Sequence, residues 1–156
     1  MARYFLFPDK DATIYENIGT ISRKFINTGK DEILQLEKGI LTANNVYNSR
    51  FLISFKTADI QTVINDKINI NNFTASLRVF STENFNLGTT QSIEVIPIAE
   101  PWSNGTGQIE DNPQTTNGVS WVFRTDKDLD QSWTTSSYSS GTTGSWTASN
   151  AAGGGV

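Results

Sequence analysis

A chain of 156 residues is long enough to bury one core and too short for two independent ones. Its formal charge of −4, with no basic run beyond Arg23-Lys24, argues against a phosphate-backbone binder, so nucleic acid is not expected as a partner. It contains no His and no Cys, which excludes disulfides, Cys- or His-based zinc, Ser-His-Asp and Cys-His nucleophiles, and imidazole acid–base chemistry. Charged residues are only 18% of the chain, and Asn, Thr and Ser take their place, as suits a strand-rich protein with many turns.

After Met1-Ala2-Arg3, the stretch Tyr4-Phe5-Leu6-Phe7 reads as a strand broken by Pro8-Asp9-Lys10-Asp11. Its apolar run is too short for the h-region of a signal peptide, and no later stretch approaches the roughly 20 apolar residues of a membrane span. Ala12-Thr13-Ile14-Tyr15 is a second short strand, with Asn17-Ile18-Gly19-Thr20 a turn after it. Asn27-Thr28-Gly29-Lys30 is a turn of the kind that places Gly at positive φ. It leads into Glu32 to Glu37, where near-alternation predicts a half-buried strand. Asn44 to Asn48 is a polar loop.

Arg50-Phe51-Leu52-Ile53-Ser54-Phe55 is the strongest strand signal, with Phe51, Ile53 and Phe55 expected on the core face. Thr57 to Ile68 carries Ile60, Val63 and Ile64 at helical spacing; it predicts one short helix near residues 57–66, capped by Thr57. Ala75-Ser76-Leu77-Arg78-Val79-Phe80 alternates as a strand with Ala75, Leu77 and Val79 inward. Ser92 to Ile98 is another strand, ended or placed at an edge by Pro97. Residues 102–118 form a long Gly/Asn/Pro-rich connection, expected to be functional or fixed by its own side chains. Val119 to Phe123 is a further strand. Residues 132–155 are Ser/Thr/Gly-rich, but the aromatics within them predict ordered loop and strand and not a tether. The whole pattern predicts an all-β fold, an antiparallel two-sheet β-sandwich or jelly roll, occupying residues 1–156 as a single domain.

Several segments, in order, resemble the DNRLRE-type β-sandwich, a carbohydrate-binding-module-like jelly roll of bacterial surface proteins and phage particles. They are Asp11-Ala12-Thr13-Ile14-Tyr15, Asn27-Thr28-Gly29 with Ile33-Leu34-Gln35-Leu36, Ser49 to Phe55, Ala75 to Phe80, and Pro101-Trp102 with Gly118-Val119-Ser120-Trp121. Lys56 stands where that family often has Asp, and Trp102 is followed by Ser103-Asn104 with no Glu, so no metal or sugar site is carried over. The stretch from Met1 to Tyr15 also resembles structural proteins of cyanophage-type tailed bacteriophages. That resemblance implies a stand-alone virion protein, made in a host cytoplasm, with other virion proteins or further copies of itself as partners. The family domain continues beyond a Gly-rich stretch, so residues 1–156 are expected to be the N-terminal part of a longer chain.

Candidate contact residues follow. Trp102 and Trp121 are expected in the core. Trp133, Tyr138 and Trp146 are candidates for a protein interface or for stacking on a glycan, or else pack under a long loop, and Asn104 and Thr106 are candidates for loop contacts. Asp126, Asp128 and Asp130 alternate and are the one candidate set for Ca²⁺, although Gln131 and Ser137 break the EF-hand pattern. Glu83, Glu94, Glu100, Glu110 and Asp111 include no pair whose spacing marks a glycoside hydrolase. No cofactor and no catalytic residue is expected. The leading expectation is a non-enzymatic structural protein of a tailed-phage virion, an accessory capsid, neck or tail component. The alternative is a carbohydrate-binding module for host-surface or environmental polysaccharide; a carboxylate-based hydrolase ranks third.

Overall fold

The computed structural model describes residues 3–16, 22–42, 45–68, 73–83, 93, 95–96, 98 and 100–134. The chain divides into two units: Phe7–Phe55 with Ile96–Val156, and Met1–Leu6 with Lys56–Val95. The first unit holds an antiparallel three-stranded sheet, in the order β1 (Pro8–Tyr15), β3 (Asn45–Phe55), β2 (Lys38–Thr42).

Pro8 does not break the first strand; it begins it, the position in a strand where a missing N–H does least harm. The preceding Tyr4-Phe5-Leu6-Phe7, expected as a strand, has no regular structure and is exposed. In the ladder, Ala12 faces Leu52 and Ile14 faces Arg50. Ala12 and Ile14 are fully buried, and Leu52 is 2% exposed. The core face of β3 is therefore that of Leu52, one residue out of phase with the expected Phe51, Ile53 and Phe55, which are half-buried. Both faces of β3 carry apolar residues, so alternation alone does not choose between them; pairing with β1 does.

Thr13 and Tyr15, on the opposite face of β1, are buried as well. The Thr28 hydroxyl donates to the Thr13 carbonyl at 2.6 Å and accepts from the Thr13 N–H at 2.9 Å. One side chain thus closes a stretch of sheet edge that has no strand beside it among the described residues and would otherwise leave both main-chain groups of Thr13 unpaired. The Tyr15 hydroxyl donates to Gln35 Oε1 at 2.6 Å, and the Gln35 N–H donates to Thr13 Oγ1 at 3.0 Å. Glu32–Glu37 is consequently not the expected strand. The Gln35 and Glu37 N–H groups go to the hydroxyls of Thr13 and Ser49, and a regular ladder begins only at Lys38. Asn45–Asn48, expected as loop, is the start of β3.

Trp102, Val119, Trp121 and Trp133 complete the core over Ala12, Ile14 and Leu52. Residues 119–123 are not a strand. Val119, Ser120 and Trp121 are buried in succession, and the Ser120 N–H donates to the Phe123 carbonyl at 2.8 Å in a tight reversal. Phe123 forms a single bridge to Ser132.

In the second unit, α1 (Thr57–Asp66) is the expected helix. Lys56, not Thr57, occupies its N-cap, without a side-chain capping bond. Ile60, Val63 and Ile64 are half-buried, and no residue of the helix is fully buried. The expected strand 75–80 has no regular structure and is exposed, and Ile93 and Val95 are exposed too. Alternation states which face a strand would bury; it does not supply the neighbour that makes a strand, and none is found among the described residues.

Candidate functional site: a loop clasped by a buried asparagine

The feature that organises the loop of residues 102–118 is Asn27, whose side chain is fully buried. Its Nδ2 donates to the Asn104 carbonyl at 2.7 Å and to the Val119 carbonyl at 2.9 Å. Its Oδ1 accepts from the Gly107 N–H at 2.8 Å and from the Gly29 N–H at 3.3 Å. Both donors and both acceptor positions of one amide are thus used inside the protein, the condition under which a buried polar group stabilises a fold. The Asn27 N–H itself donates to the Thr115 carbonyl at 2.9 Å.

Neighbouring residues extend the clasp. Asn104 Nδ2 donates to the Gly29 carbonyl at 2.8 Å, and the Lys30 N–H to the Gly107 carbonyl at 3.0 Å. The Ile109 N–H donates to Asp31 Oδ1 at 3.1 Å. Gly105 lies at φ 79°, and a Cβ there would run into the Asn27 amide; one on Gly118 would do the same. Both positions therefore require glycine. The loop is thus fixed chiefly from outside, by the Asn27 side chain and residues 29–31, with its own Asn104 and Asn117 side chains adding to the hold.

The candidate contact residues are distributed as follows. Asn104 is half-buried within the clasp, with its Oδ1 enclosed and without a partner among the described residues. Thr106 is exposed; its N–H donates to Asn117 Oδ1 at 3.0 Å and its hydroxyl accepts from Asn117 Nδ2 at 2.7 Å. Trp133 is not at a surface: it is 5% exposed, and its indole N–H donates to the Ser120 carbonyl at 3.0 Å. A large apolar indole with an acceptor in reach is drawn into the core even from a Ser/Thr-rich surrounding. Tyr138 and Trp146 lie outside the described residues, as does the loop from residue 135 onward.

Cations lie over several of the other aromatic rings. The Lys10 ammonium sits 5.2 Å from the Trp102 ring centroid and donates to the Trp102 carbonyl at 3.0 Å. The Arg50 guanidinium lies 4.8 Å from Trp121, and Lys127 5.0 Å from Phe25. Burial lowers the Arg50 pKa, with Glu16 opposing the shift. A ring already faced by a cation in its own protein is a poor platform for a sugar.

The acidic turn does not form a cage. Asp126 Oδ1 accepts from the Asp128 N–H at 2.9 Å and caps a single 3₁₀ turn over Lys127–Leu129, which Asp130 ends in the left-handed region at φ 48°. Alternate residues share a side only in an extended chain, and the turn separates these three. No group of three or more potential metal-ligating side chains gathers among the described residues.

Of the carboxylates, burial holds the Asp31 pKa above its ordinary 3.8, aided by the charges of Asp111 and Glu110 and opposed by the Ile109 N–H. Asp111 is shifted down, chiefly by a hydrogen bond from Thr115. Glu100 accepts from both the N–H and the hydroxyl of Thr134, at 3.1 and 2.6 Å, in a structural role. Glu94 lies outside the described residues.

The sequence contained the pieces of the clasp, in Asn27-Thr28-Gly29, Asn104-Gly105-Thr106-Gly107 and Asn117-Gly118, but nothing in their spacing joined them. Arg50 was missed for another reason: a charged residue in a strand reads as solvent-facing until a ring is found to cover it. No family model, no curated protein and no solved structure matches the chain. No helix among the described residues is long and apolar enough to cross a membrane.

Proposed function

We propose that this chain is a non-enzymatic structural component of a tailed-bacteriophage virion, an accessory capsid, neck or tail protein that works through contacts with other virion proteins. The observation that carries the reading is an imbalance of burial. The described tryptophans all turn inward, while apolar side chains such as Phe5, Phe73, Val79, Phe80 and Val95 stay exposed. Side chains of that size and number leave on the order of several hundred Å² of apolar surface open, comparable to the ~800 Å² per partner of a specific protein interface.

The ordered motifs from Asp11 to Trp121 support the same reading, through their resemblance to the DNRLRE-type sandwich. On this view the three-stranded sheet is part of a two-sheet jelly roll. The absence of His and Cys from the sequence supports a role without catalysis. The glycan-binding alternative loses Trp133, whose indole is enclosed.

Mass spectrometry of purified particles tests the proposal. Stoichiometric recovery of this chain is expected. Its absence from particles, or specific binding of polysaccharide by the free chain, would overturn the assignment.

A further inference from the structure

We propose that Asn104-Gly105 is a self-modification site: a deamidation centre that the Asn27 clasp holds unreactive and whose product cannot restore the clasp. The inference is independent of any role in a virion.

Asn followed by Gly is the dipeptide most prone to this chemistry, because glycine places no side chain in the way of its own nitrogen. Here the fold imposes the dipeptide. Gly105 sits at φ 79°, and a Cβ on it would collide with the Asn27 amide, so no other residue fits. Asn104 is fixed as firmly, since its Nδ2 donates to the Gly29 carbonyl at 2.8 Å and its own carbonyl accepts from Asn27 at 2.7 Å. The fold thus requires the glycine and employs the asparagine side chain, and it restrains the reactive pair that results. With Nδ2 tied to Gly29, the side chain is not free to swing its Cγ onto the Gly105 nitrogen, so reaction waits on local opening of the loop.

The step is balanced. The Gly105 main-chain nitrogen gives its proton to solvent base and bonds to Asn104 Cγ. The Cγ–Nδ2 bond breaks, and ammonia leaves with a proton from water. Water then opens the resulting cyclic imide at either carbonyl, giving Asp or isoaspartate. Neither product carries a donor for the Gly29 carbonyl: Asp sets a carboxylate against that oxygen, and isoaspartate reroutes the main chain through the former side-chain carbonyl, so the opened loop does not reclose.

The test compares the folded wild-type chain, the same chain in urea, and Asn27→Ala, each held at mildly alkaline pH, with peptide mapping of Asp and isoaspartate at position 104. Conversion in the folded chain should be at least about tenfold slower than in urea, the factor for an opening cost of ~1.4 kcal/mol. Asn27→Ala should recover most of that difference. Asn104→Asp, which mimics one product, should lose hydrogen-exchange protection at the Gly107 N–H. Equal rates folded and unfolded would overturn the proposal, as would native protection of Gly107 in Asn104→Asp.

Discussion

Two stretches of this chain use similar residues to opposite ends. Around Trp121, which is 1% exposed, indoles, aliphatic side chains and a fully bonded asparagine close on one another, and even the free edge of β1 is answered by the Thr28 hydroxyl. Between Lys56 and Val95 no described residue is buried, and Phe80 is 84% exposed although its segment alternates as well as any in the sequence. The difference lies in partners and not in composition. Apolar patterning states a demand for burial, and only the first region meets it internally. The second region's demand is what the proposed assembly role would satisfy.

Substitutions that break this contrast are ordered by size. Trp121→Ala should cost about 3–5 kcal/mol in urea unfolding, whereas Phe80→Ala should stay within about 0.5 kcal/mol. Trp121→Phe sharpens the point, because it removes an indole N–H that has no partner among the described residues and should cost much less than the lost area suggests.

Asn27→Ala should cost roughly 2–4 kcal/mol, since it leaves the Gly107 N–H and the Asn104 and Val119 carbonyls unpaired. Asn27→Asp should be no better, because a carboxylate cannot donate to two carbonyls. Urea midpoints at constant slope check both. Thr28→Val keeps the shape and deletes only the hydroxyl that serves Thr13; a loss of about 1–2 kcal/mol is expected, with faster exchange of the Thr13 N–H.

The smallest effect concerns pH. The native chain holds the Asp31 proton more tightly than the unfolded chain does. Its contribution to stability is therefore greatest at low pH and declines as pH rises from about 3.8 through the raised native value. Asp31→Asn keeps an acceptor for the Ile109 N–H and removes that decline, so its advantage over wild type should grow across this window. Asp111 is shifted the other way, and Asp111→Asn should remove stability that wild type has above the ordinary carboxylate range and loses on acidification. Unfolding midpoints across the acid range distinguish the two signs.

How much of this was legible beforehand depended on whether a feature was local. The helix at 57–66 could be read because its spacing and boundaries lie within a few turns of chain. The turn at Gly29-Lys30, closed by the Asp31 N–H on the Thr28 carbonyl, could be read for the same reason, although Gly29 does not take the positive φ expected of it. The core face of β3 could not, because Phe51 and Leu52 compete equally until Ala12 is set opposite Leu52. Nor could the clasp, whose halves lie 77 residues apart at Asn27 and Asn104. Trp133 was open between a surface contact and packing beneath a loop, since its Ser/Thr-rich neighbours name no partner; the indole follows the burial its own area favours. The segment 75–80 misled in the opposite sense, offering a strand pattern without a strand to pair with.

Native-state hydrogen exchange of the isolated chain, resolved by residue, bears most directly on the contrast. The Thr13, Gly107 and Val119 N–H groups should exchange far more slowly than those of residues 75–80, which should approach unprotected rates. Comparable protection in both stretches would mean that 75–80 finds its partner within the chain, and would contradict the claim that only the first region meets its demand for burial internally.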